Sequence, residues 1–229
     1  MRTLADNGAC LTAEWLLPAL LLAAIAYFLG CFNGAVIVSK YILRNDIRNH
    51  GSGNAGLTNF YRVFGGGLTF VVILCDVLKM VAAVWAGQLL LRGWGGGAGS
   101  GTVLALYARY WAGLFCLLGH MFPCMFRFKG GKGILSGGTL AILIDWRIAL
   151  VVWGGFLLLF LLTRYVSLGS VFAGASFPFL SWYCYPDPVV VVLAFLVGGL
   201  VVWKHRENIQ RLLQGKERKF HFHRDKNTQ

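Results

Sequence analysis

Residues 68–91 read LTFVVILCDVLKMVAAVWAGQLLL, and this stretch decides the fold. A helix needs about 20 mostly apolar residues to cross a bilayer, so the stretch is long enough to span one. Asp76 and Lys79 interrupt it at i and i+3, which places them on one face of a helix. Each charge alone would cost about 2.5–3.5 kcal/mol at the membrane centre. We therefore predict a spanning helix whose two charges form a structural ion pair or face the interior of a bundle.

The composition of the whole chain agrees with this interpretation. Of its 229 residues, 57% are hydrophobic and 13% are charged, and the mean hydropathy is +0.65. Soluble domains have about 45–50% apolar and about 25% charged residues. We expect an all-α integral membrane protein, and the length allows a bundle of about seven transmembrane helices.

Seven apolar segments follow one another along the chain. They cover residues 14–38, 68–91, 103–121, 134–144, 148–162, 168–184 and 189–203. The fourth is too short for a straight span, so we expect a short or re-entrant helix, which is tolerated where protein or water covers the backbone. Residues 1–203 are thus predicted to form a single transmembrane domain, followed by a basic tail at 204–229.

The distribution of basic residues predicts the orientation of this domain. With seven spans and the N-terminus outside, 16 of the 21 Lys and Arg residues lie on the inner side, three on the outer side and two within spans. Cytoplasmic loops of membrane proteins carry such an excess. We predict an external N-terminus and a cytoplasmic C-terminus. The net charge of +12 is then mostly explained without nucleic acid, which is not expected as a partner.

The cysteines and the first residues add little chemistry. The six cysteines contain no C-x-x-C pair and mostly lie in apolar stretches, so we interpret them as small buried hydrophobic residues. No motif demands a metal or an organic cofactor, and none is expected. The first residues carry little positive charge and lead into an apolar run, so no cleavable signal peptide is expected.

The first of three polar segments on the predicted inner face reads NHGSGNAGLTN at residues 49–59. Glycines let backbone N–H groups converge on an anion, and the polar side chains add uncharged donors. The candidate ligands are Gly51, Ser52, Gly53, Asn54, Thr58, Asn59 and, just after the segment, Arg62. The alternative is a polar turn that merely caps the next helix, but the density of donors beside a span favours phosphate binding.

The second segment begins at the end of a span with GHMFP (residues 119–123) and continues with FKGGKG (residues 128–133). Glycines and lysines at a helix N-terminus form an anion site through backbone and charge. The candidate residues are His120, Lys129, Gly130, Gly131, Lys132 and Gly133. The spacing of a Walker A loop is absent. The alternative is a pair of lysines that only anchors the protein by the positive-inside rule.

The third segment reads KHRENIQRL at residues 204–212. His205 and Asn208 would share one helix face, and His205 would be the natural proton acceptor near neutral pH. The alternative is a solvated basic tail. A further inner loop, TRYVSL at residues 163–168, could bring Ser167 and Arg164 to the same site.

Taken together, these segments resemble a known family. GSGNAGLTNFYRVFG, GHMFPCMFRFKGGKG and KHRENIQRLLQGKE match in order the three motifs of the bacterial acyl-phosphate:glycerol-3-phosphate acyltransferases, the PlsY-type enzymes. DVLK and TRYVSL match as well, and the resemblance runs over residues 30–217. One departure is GCFNGA at residues 30–35, where members commonly carry Gly-Ser-Ile-Pro-x-Gly; here Cys31 and Asn33 replace Ser and Pro.

The resemblance implies a seven-span protein of the bacterial plasma membrane with its active site on the cytoplasmic face. The implied reaction moves an acyl group from a long-chain acyl phosphate to the 1-hydroxyl of glycerol 3-phosphate, giving lysophosphatidic acid and phosphate at the start of phospholipid synthesis. Membrane lipid is the remaining implied partner. By motif position, Ser52, Asn54, Thr58 and Arg62 would hold phosphate, residues 129–133 glycerol 3-phosphate, His205 and Asn208 would support activity, Ser167 would line the site and Glu217 would be structural. Residues 204–217 would then belong to the active site.

Elementary chemistry fits this reaction. Phosphate is a good leaving group once its charge is stabilised, so anion binding could supply much of the catalysis. Ser52 lacks an obvious triad, which favours direct transfer over an acyl-enzyme. His205 or a substrate phosphate oxygen could accept the hydroxyl proton, and the sequence does not choose between them.

Two other classes of function share some of these sequence features. A transporter of a phosphorylated metabolite would share the basic segments but should show repeated halves and ionisable groups at the midplane. A lipid-binding scaffold would not need three donor-rich motifs. The H-x-x-x-x-D pair of acyl-CoA-using glycerolipid acyltransferases is absent, which argues against a thioester donor.

Overall fold

The computed structural model describes residues 13–93 and 103–220, and within these ranges the chain is helical, with no strand. The α-helices are α1 (Ala13–Cys31), α2 (Gly34–Ile37), α3 (Leu57–Phe64), α4 (Leu68–Gly93), α5 (Val103–Met121), α6 (Ile134–Ile144), α7 (Trp146–Thr163), α8 (Val166–Cys184), α9 (Pro188–Lys204) and α10 (Arg206–Leu213). A π-helical turn (Val38–Ile42) continues α2, and short 3-10 turns cover Ile47–Asn49 and Cys124–Phe126. The start of the chain and residues 221–229 of the predicted tail lie outside the described residues.

Each of the seven apolar segments predicted from the sequence corresponds to helical structure. Four helical stretches are long and apolar enough to cross a membrane, namely Leu16–Ile42, Leu68–Leu90, Val103–Phe126 and Trp146–Thr163. The number rises to five if α9 and α10, which bend by 55° at their junction, are counted as one span. The protein is therefore a helical integral membrane protein, and the count of seven crossings and the orientation of the termini stay predictions.

Helix α6 is the short helix that the sequence predicts. It has 11 residues, as the segment 134–144 indicated, and it packs against α4, α5 and α7. Ser136 donates from its hydroxyl to the carbonyl of Asp76 at 3.1 Å, which ties α6 to the first half of α4. Helix α6 is about half the length of a span, and Gly131 and Gly133 in the loop before it are buried.

Close contact between α1 and α5 sets the position of the second polar segment. A Cβ added at Gly30 would lie 2.1 Å from the Cys116 carbonyl oxygen, and one at Gly119 would lie 2.0 Å from that of Tyr27. Small residues allow this approach of two backbones in membrane helices. The hydroxyl of Tyr27 also donates to the carbonyl of Phe122 at 2.8 Å. The end of α5 that carries His120 is therefore held firmly against α1.

Candidate active site

A cavity of about 480 Å³ opens where the three predicted motifs meet. Its polar lining comprises Ser52, Asn54, Thr58, Asn59, Arg62, Asp76, His120, Lys132, Ser167, Ser170, His205, Asn208, Arg211, Glu217 and Arg218. Its apolar lining comes from Leu57, Ile73, Ile134, Leu135, Trp153, Phe156 and Val166. One cavity thus combines anion-binding groups with an apolar wall built mainly by α6 and α7.

The first motif reaches the cavity through the start of α3. Gly56 is the N-cap of this helix and has no side chain, so the first backbone N–H groups of α3 are not capped locally. Gly56, Leu57 and Thr58 all line the cavity. Exposed N–H groups at a helix N-terminus attract anions. Arg62, in the last turn of α3, lines the same cavity.

Asn59 holds the loop together rather than offering donors to a ligand. Its Oδ1 accepts from the backbone N–H of Ser52 at 2.9 Å, and its Nδ2 donates to the carbonyls of His50 and Asn54, each at 3.0 Å. The side chain is only 2% exposed. We predicted Asn59 as a phosphate donor, and its amide group is instead used within the loop.

Gly51 and Gly53 shape this loop through their backbone conformation. Their φ angles are +62° and +69°, a left-handed region that favours glycine. A Cβ at Gly51 would also lie 2.3 Å from Oδ1 of Asn59. Neither glycine is among the described residues that line the cavity, so their contribution is to fold the loop that presents Ser52 and Asn54.

Asn33 explains the departure from the family pattern at residues 30–35. Its Oδ1 accepts from the N–H of Val36 at 3.1 Å, which caps α2, and its Nδ2 donates to the carbonyl of Ala55 at 3.1 Å. The break between α1 and α2 is therefore kept without the proline, and it is tied to the first motif. Cys31 is buried with its Sγ 4.0 Å from Sγ of Cys124.

The second motif divides into two parts with different tasks. Gly130 and Gly131 pack on His120, since a Cβ at Gly130 would lie 2.0 Å from its carbonyl oxygen and one at Gly131 would lie 2.3 Å from its Nε2. Lys132 and Gly133 line the cavity, whereas the lining drawn from the described residues does not include Lys129, Gly130 or Gly131. Lys129 is exposed. The loop was predicted to bind as a unit, and the structure brings only its last two residues and His120 to the cavity.

Lys132 is a half-buried cation whose charge is sensitive to its surroundings. Its Nζ donates to Oδ1 of Asn208. Burial, followed by the nearby charge of Arg211, lowers the pKa of Lys132 to about 8. Glu217 opposes this change but does not cancel it. Lys132 can therefore hold a phosphate by charge at neutral pH.

The third motif starts at the bend between α9 and α10, where His205 lies. His205 is 4% exposed, and its Nδ1 lies 2.8 Å from the carbonyl oxygen of Val201. A carbonyl can only accept, so Nδ1 carries the proton and Nε2 keeps its lone pair. Burial lowers the pKa of His205 to about 4, and its ring is neutral at physiological pH.

Glu217 connects the end of the third motif to α10. It accepts from Nδ2 of Asn208 and from Nε of Arg211, both at 2.7 Å. Burial alone would raise the pKa of Glu217, but these two hydrogen bonds outweigh it and lower the pKa. These two contacts hold the side chain of Asn208 in place. The structural role predicted for Glu217 requires contacts of this kind.

The remaining loop and the charged pair also reach the cavity. Ser167 is buried at the start of α8 and lines the cavity. The predicted ion pair is present, with Nζ of Lys79 2.7 Å from Oδ1 of Asp76, and Asp76 lines the cavity as well. His120 completes a buried cluster with these two residues, which the sequence did not indicate.

Several lining residues were not predicted. Arg211 lies three residues after Asn208 on α10, and helical spacing could have identified it. Trp153 and Phe156 lie in an apolar stretch of α7, where nothing in the residue pattern distinguishes a cavity wall from a lipid-facing surface.

The fold and the cavity define a class: a helical integral membrane protein with an internal site for a phosphorylated, partly apolar ligand. A family model described as glycerol-3-phosphate acyltransferase matches residues 20–215, and the chain belongs to this family.

Named relatives agree with this assignment. The chain is 36% identical over 201 residues to a glycerol-3-phosphate acyltransferase of Thermoanaerobacter pseudethanolicus, covering 88% of this chain and 95% of that protein. It is 37% identical over 201 residues to one of Pseudomonas putida KT2440, covering 87% and 98%.

Two solved structures share the fold. The crystal structure of PlsY (YgiH), an integral membrane glycerol 3-phosphate acyltransferase, in its glycerol 3-phosphate form matches with a TM-score of 0.75 and 33% identity. It covers 89% of this chain and 96% of that one. The lysophosphatidic acid form matches with a TM-score of 0.72 at the same identity and coverage.

Proposed function

We propose that this protein transfers an acyl group from a long-chain acyl phosphate to the 1-hydroxyl of glycerol 3-phosphate. The products are lysophosphatidic acid and inorganic phosphate. The observation that carries the proposal is a single cavity that joins anion-binding groups to an apolar wall. The names of the relatives and the ligand forms of the similar solved structures support the same substrate and product.

The cavity offers separate groups for two phosphates. The uncapped start of α3, with Ser52, Thr58 and Arg62, suits one of them. Lys132 suits the other, with Asn208 held beside it. In our proposal the second group receives glycerol 3-phosphate, and the acyl chain of the donor lies along the apolar wall.

The reaction proceeds by direct attack. The 1-hydroxyl oxygen of glycerol 3-phosphate bonds to the acyl carbonyl carbon, and the bond from that carbon to the phosphate oxygen breaks, so that phosphate leaves with the electron pair. The cations and N–H donors stabilise the developing charge. No covalent enzyme intermediate is required.

The hydroxyl proton needs an acceptor during this step. Nε2 of His205 has its lone pair available, but a pKa of about 4 makes it a weak base in the empty cavity. A phosphate ester has a second pKa of about 6, so a substrate phosphate oxygen is the stronger base. We propose that a substrate phosphate oxygen takes the proton of the attacking hydroxyl, and that Nε2 of His205 accepts a hydrogen bond from the other free hydroxyl of glycerol 3-phosphate, which orients the substrate.

The proposed setting is the bacterial plasma membrane, with the cavity on the cytoplasmic face and the N-terminus outside. The distribution of basic residues in the sequence supports this orientation. The seven helical segments support seven crossings, with α6 as the short one. Both substrates then approach from the cytoplasmic side of the membrane.

The proposal is tested with the purified protein in detergent. Palmitoyl phosphate and glycerol 3-phosphate are mixed with it, and phosphate release is measured, with palmitoyl-CoA as a parallel donor. We expect rapid release only when both substrates are present and little product from palmitoyl-CoA. A folded sample without turnover would contradict the proposal, and uptake of glycerol 3-phosphate into liposomes would then test transport.

A further inference from the structure

Three ionisable side chains lie buried together beside the cavity, and the reaction proposed above uses none of them. Asp76 and Lys79 lie on α4 and His120 lies on α5, with exposed fractions of 3%, 5% and 2%. Ionisable groups inside membrane helices are costly and tend to serve a function. Asp76 and His120 both line the cavity, so the cluster is in contact with the space where a substrate binds.

Lys79 uses all three of its N–H donors inside this cluster. Its Nζ lies 2.7 Å from Oδ1 of Asp76, 2.6 Å from Nδ1 of His120 and 3.3 Å from the carbonyl oxygen of Phe32. An ammonium group has three donors and no acceptor. Nδ1 of His120 must therefore accept from Lys79, which leaves the ring proton on Nε2.

Other proton arrangements fit the contacts less well. A proton on Nδ1 of His120 would face an N–H of Lys79 across 2.6 Å, and Oδ1 of Asp76 lies 3.6 Å from Nδ1, too far to accept a hydrogen bond from it. An imidazolium ring would meet the same obstacle, because both of its nitrogens are donors. Nζ of Lys79 lies 2.7 Å from Oδ1 of Asp76, so the two side chains form an ion pair. The contacts thus select one tautomer of the neutral ring.

His120 and His205, which line the cavity among the described residues, therefore have opposite hydrogen-bonding groups at Nε2. His205 donates from Nδ1 to the carbonyl of Val201, so its Nε2 is an acceptor. His120 accepts at Nδ1 from Lys79, so its Nε2 is a donor. One ring can accept a hydrogen bond from a hydroxyl while the other can donate to an anionic oxygen.

His120 lines the cavity, and its Nε2 lies where the first and second motifs pack together. A Cβ at Gly131 would lie 2.3 Å from this nitrogen and 2.7 Å from the carbonyl oxygen of Ala55. Glycine at this position therefore lets the loop backbone pack directly against the ring of His120, where the first and second motifs meet. Lys132, the next residue, lines the cavity, so an anion held by Lys132 lies in the same region.

We propose that Asp76 and Lys79 are positioning residues that hold His120 with its proton on Nε2, and that this N–H donates a hydrogen bond to a substrate phosphate. The inference rests on the proposed function for the identity of the ligand. The tautomer of His120 can be tested without any turnover.

The first measurement is NMR of the full-length protein in detergent with ¹⁵N-labelled histidine. Correlations between the ring nitrogens and carbons distinguish the two tautomers, and histidine substitutions assign the signals. We expect His120 with a protonated Nε2 and His205 with a protonated Nδ1 in the same spectrum. His205 is the internal control, and a protonated Nδ1 on His120 would overturn the inference.

Adding ligands separates the two sources of phosphate. Glycerol 3-phosphate alone and palmitoyl phosphate alone are titrated into the labelled protein. We expect one of them to shift the Nε2 signal of His120, and that ligand carries the phosphate which accepts the hydrogen bond. If saturating amounts of both leave the signal unmoved, the proposed hydrogen bond is excluded.

The second measurement removes both charges together, so that neither is left unpaired. The double variant D76N/K79M is expected to give a mixture of His120 tautomers, to leave His205 unchanged and to lower turnover about tenfold to hundredfold. An unchanged His120 signal or unchanged turnover in a folded double variant would contradict the inference. If this variant does not fold, the wild-type spectrum still decides the tautomer.

The tautomer of His120 and the proposed acyl transfer are tested independently of each other. Wild-type turnover with His120 protonated on Nδ1 would contradict this inference and leave the proposed function standing. The expected tautomers without wild-type turnover would contradict the proposed function instead.

Discussion

At the scale of single residues, the surroundings of Lys132 make its positive charge depend on pH, and its binding of substrate should depend on pH as well. Lysine in water remains charged to about pH 10, but burial and the charge of Arg211 lower the pKa of Lys132 to about 8. The free protein therefore carries this cation below about pH 8 and loses it as the pH rises. A phosphate held by Lys132 would be bound progressively less well above that value.

We predict that kcat/KM for glycerol 3-phosphate falls about tenfold per pH unit above about pH 8, because kcat/KM reports the ionisation of the free enzyme. Initial rates at subsaturating glycerol 3-phosphate, measured from about pH 6 to about pH 10, give the profile. The matched control is K132R, whose guanidinium stays charged and which should lack this alkaline fall. An identical fall in both proteins would contradict the assignment to Lys132.

Two asparagines of the first motif should respond differently to truncation. Asn59→Ala leaves the N–H of Ser52 and the carbonyl of Asn54 without this partner, while the carbonyl of His50 keeps only its bond from the N–H of Gly53. A buried group left unpaired costs about 1–3 kcal/mol, so we predict a lower thermal unfolding temperature in detergent as well as lost activity.

Asn54→Ala is the matched comparison. Asn54 lines the cavity and is partly exposed, so its loss should reduce activity and leave the unfolding temperature unchanged. Equal unfolding temperatures for the two variants would contradict the structural role assigned to Asn59.

At the scale of elements, the contact between α1 and α5 fixes the second motif. Gly119 lies where the two backbones touch, and a Cβ there would lie 2.0 Å from the carbonyl oxygen of Tyr27. Gly199, in the middle of α9, has nothing within 4 Å of an added Cβ among the described residues. The same substitution at Gly119 and at Gly199 therefore compares a tightly packed position with an open one.

We predict that Gly119→Ala lowers the free energy of unfolding by about 1–3 kcal/mol or more, because a tightly packed contact must open. Gly199→Ala should be neutral or slightly stabilising, since alanine favours a helix. Thermal unfolding of both variants in one detergent tests this. Similar losses in the free energy of unfolding for both variants would show that packing does not require a glycine at position 119.

The sequence predicted the elements better than the tasks of individual residues. Apolar runs gave the helices, including the short α6, because length and hydropathy are local properties. The ion pair of Asp76 and Lys79 followed from helical spacing alone. The internal role of Asn59 and the packing of Gly130 on His120 depend on contacts between segments, which residue type and spacing do not encode.

At the scale of the whole molecule, the chain after α10 completes the cavity. Glu217 and Arg218 line it, and the backbone N–H of Phe220 donates to the carbonyl of Arg164 at 2.8 Å. The ring of Phe220 stacks on Tyr61 with centroids 5.5 Å apart and meets Phe160 edge-on at 5.6 Å. This segment joins α3 to the loop between α7 and α8.

Truncations test this arrangement directly. A chain ending at Phe220 keeps every described residue of the cavity, so we predict full activity. A chain ending at Gln214 loses Glu217, Arg218 and Phe220, and we predict at least a hundredfold lower turnover, on the order of a lost charged hydrogen-bond network. Gel filtration in detergent checks that both are monodisperse. Comparable activity of the two truncated chains would exclude residues 215–220 from the site.

The central claim is that one cavity brings both substrates together for direct transfer. Mass spectrometry of a reaction with palmitoyl phosphate and carbon-13-labelled glycerol 3-phosphate measures both products. We predict labelled lysophosphatidic acid and inorganic phosphate in equal amounts, with neither formed when glycerol 3-phosphate is omitted. Phosphate release without labelled lysophosphatidic acid would contradict acyl transfer.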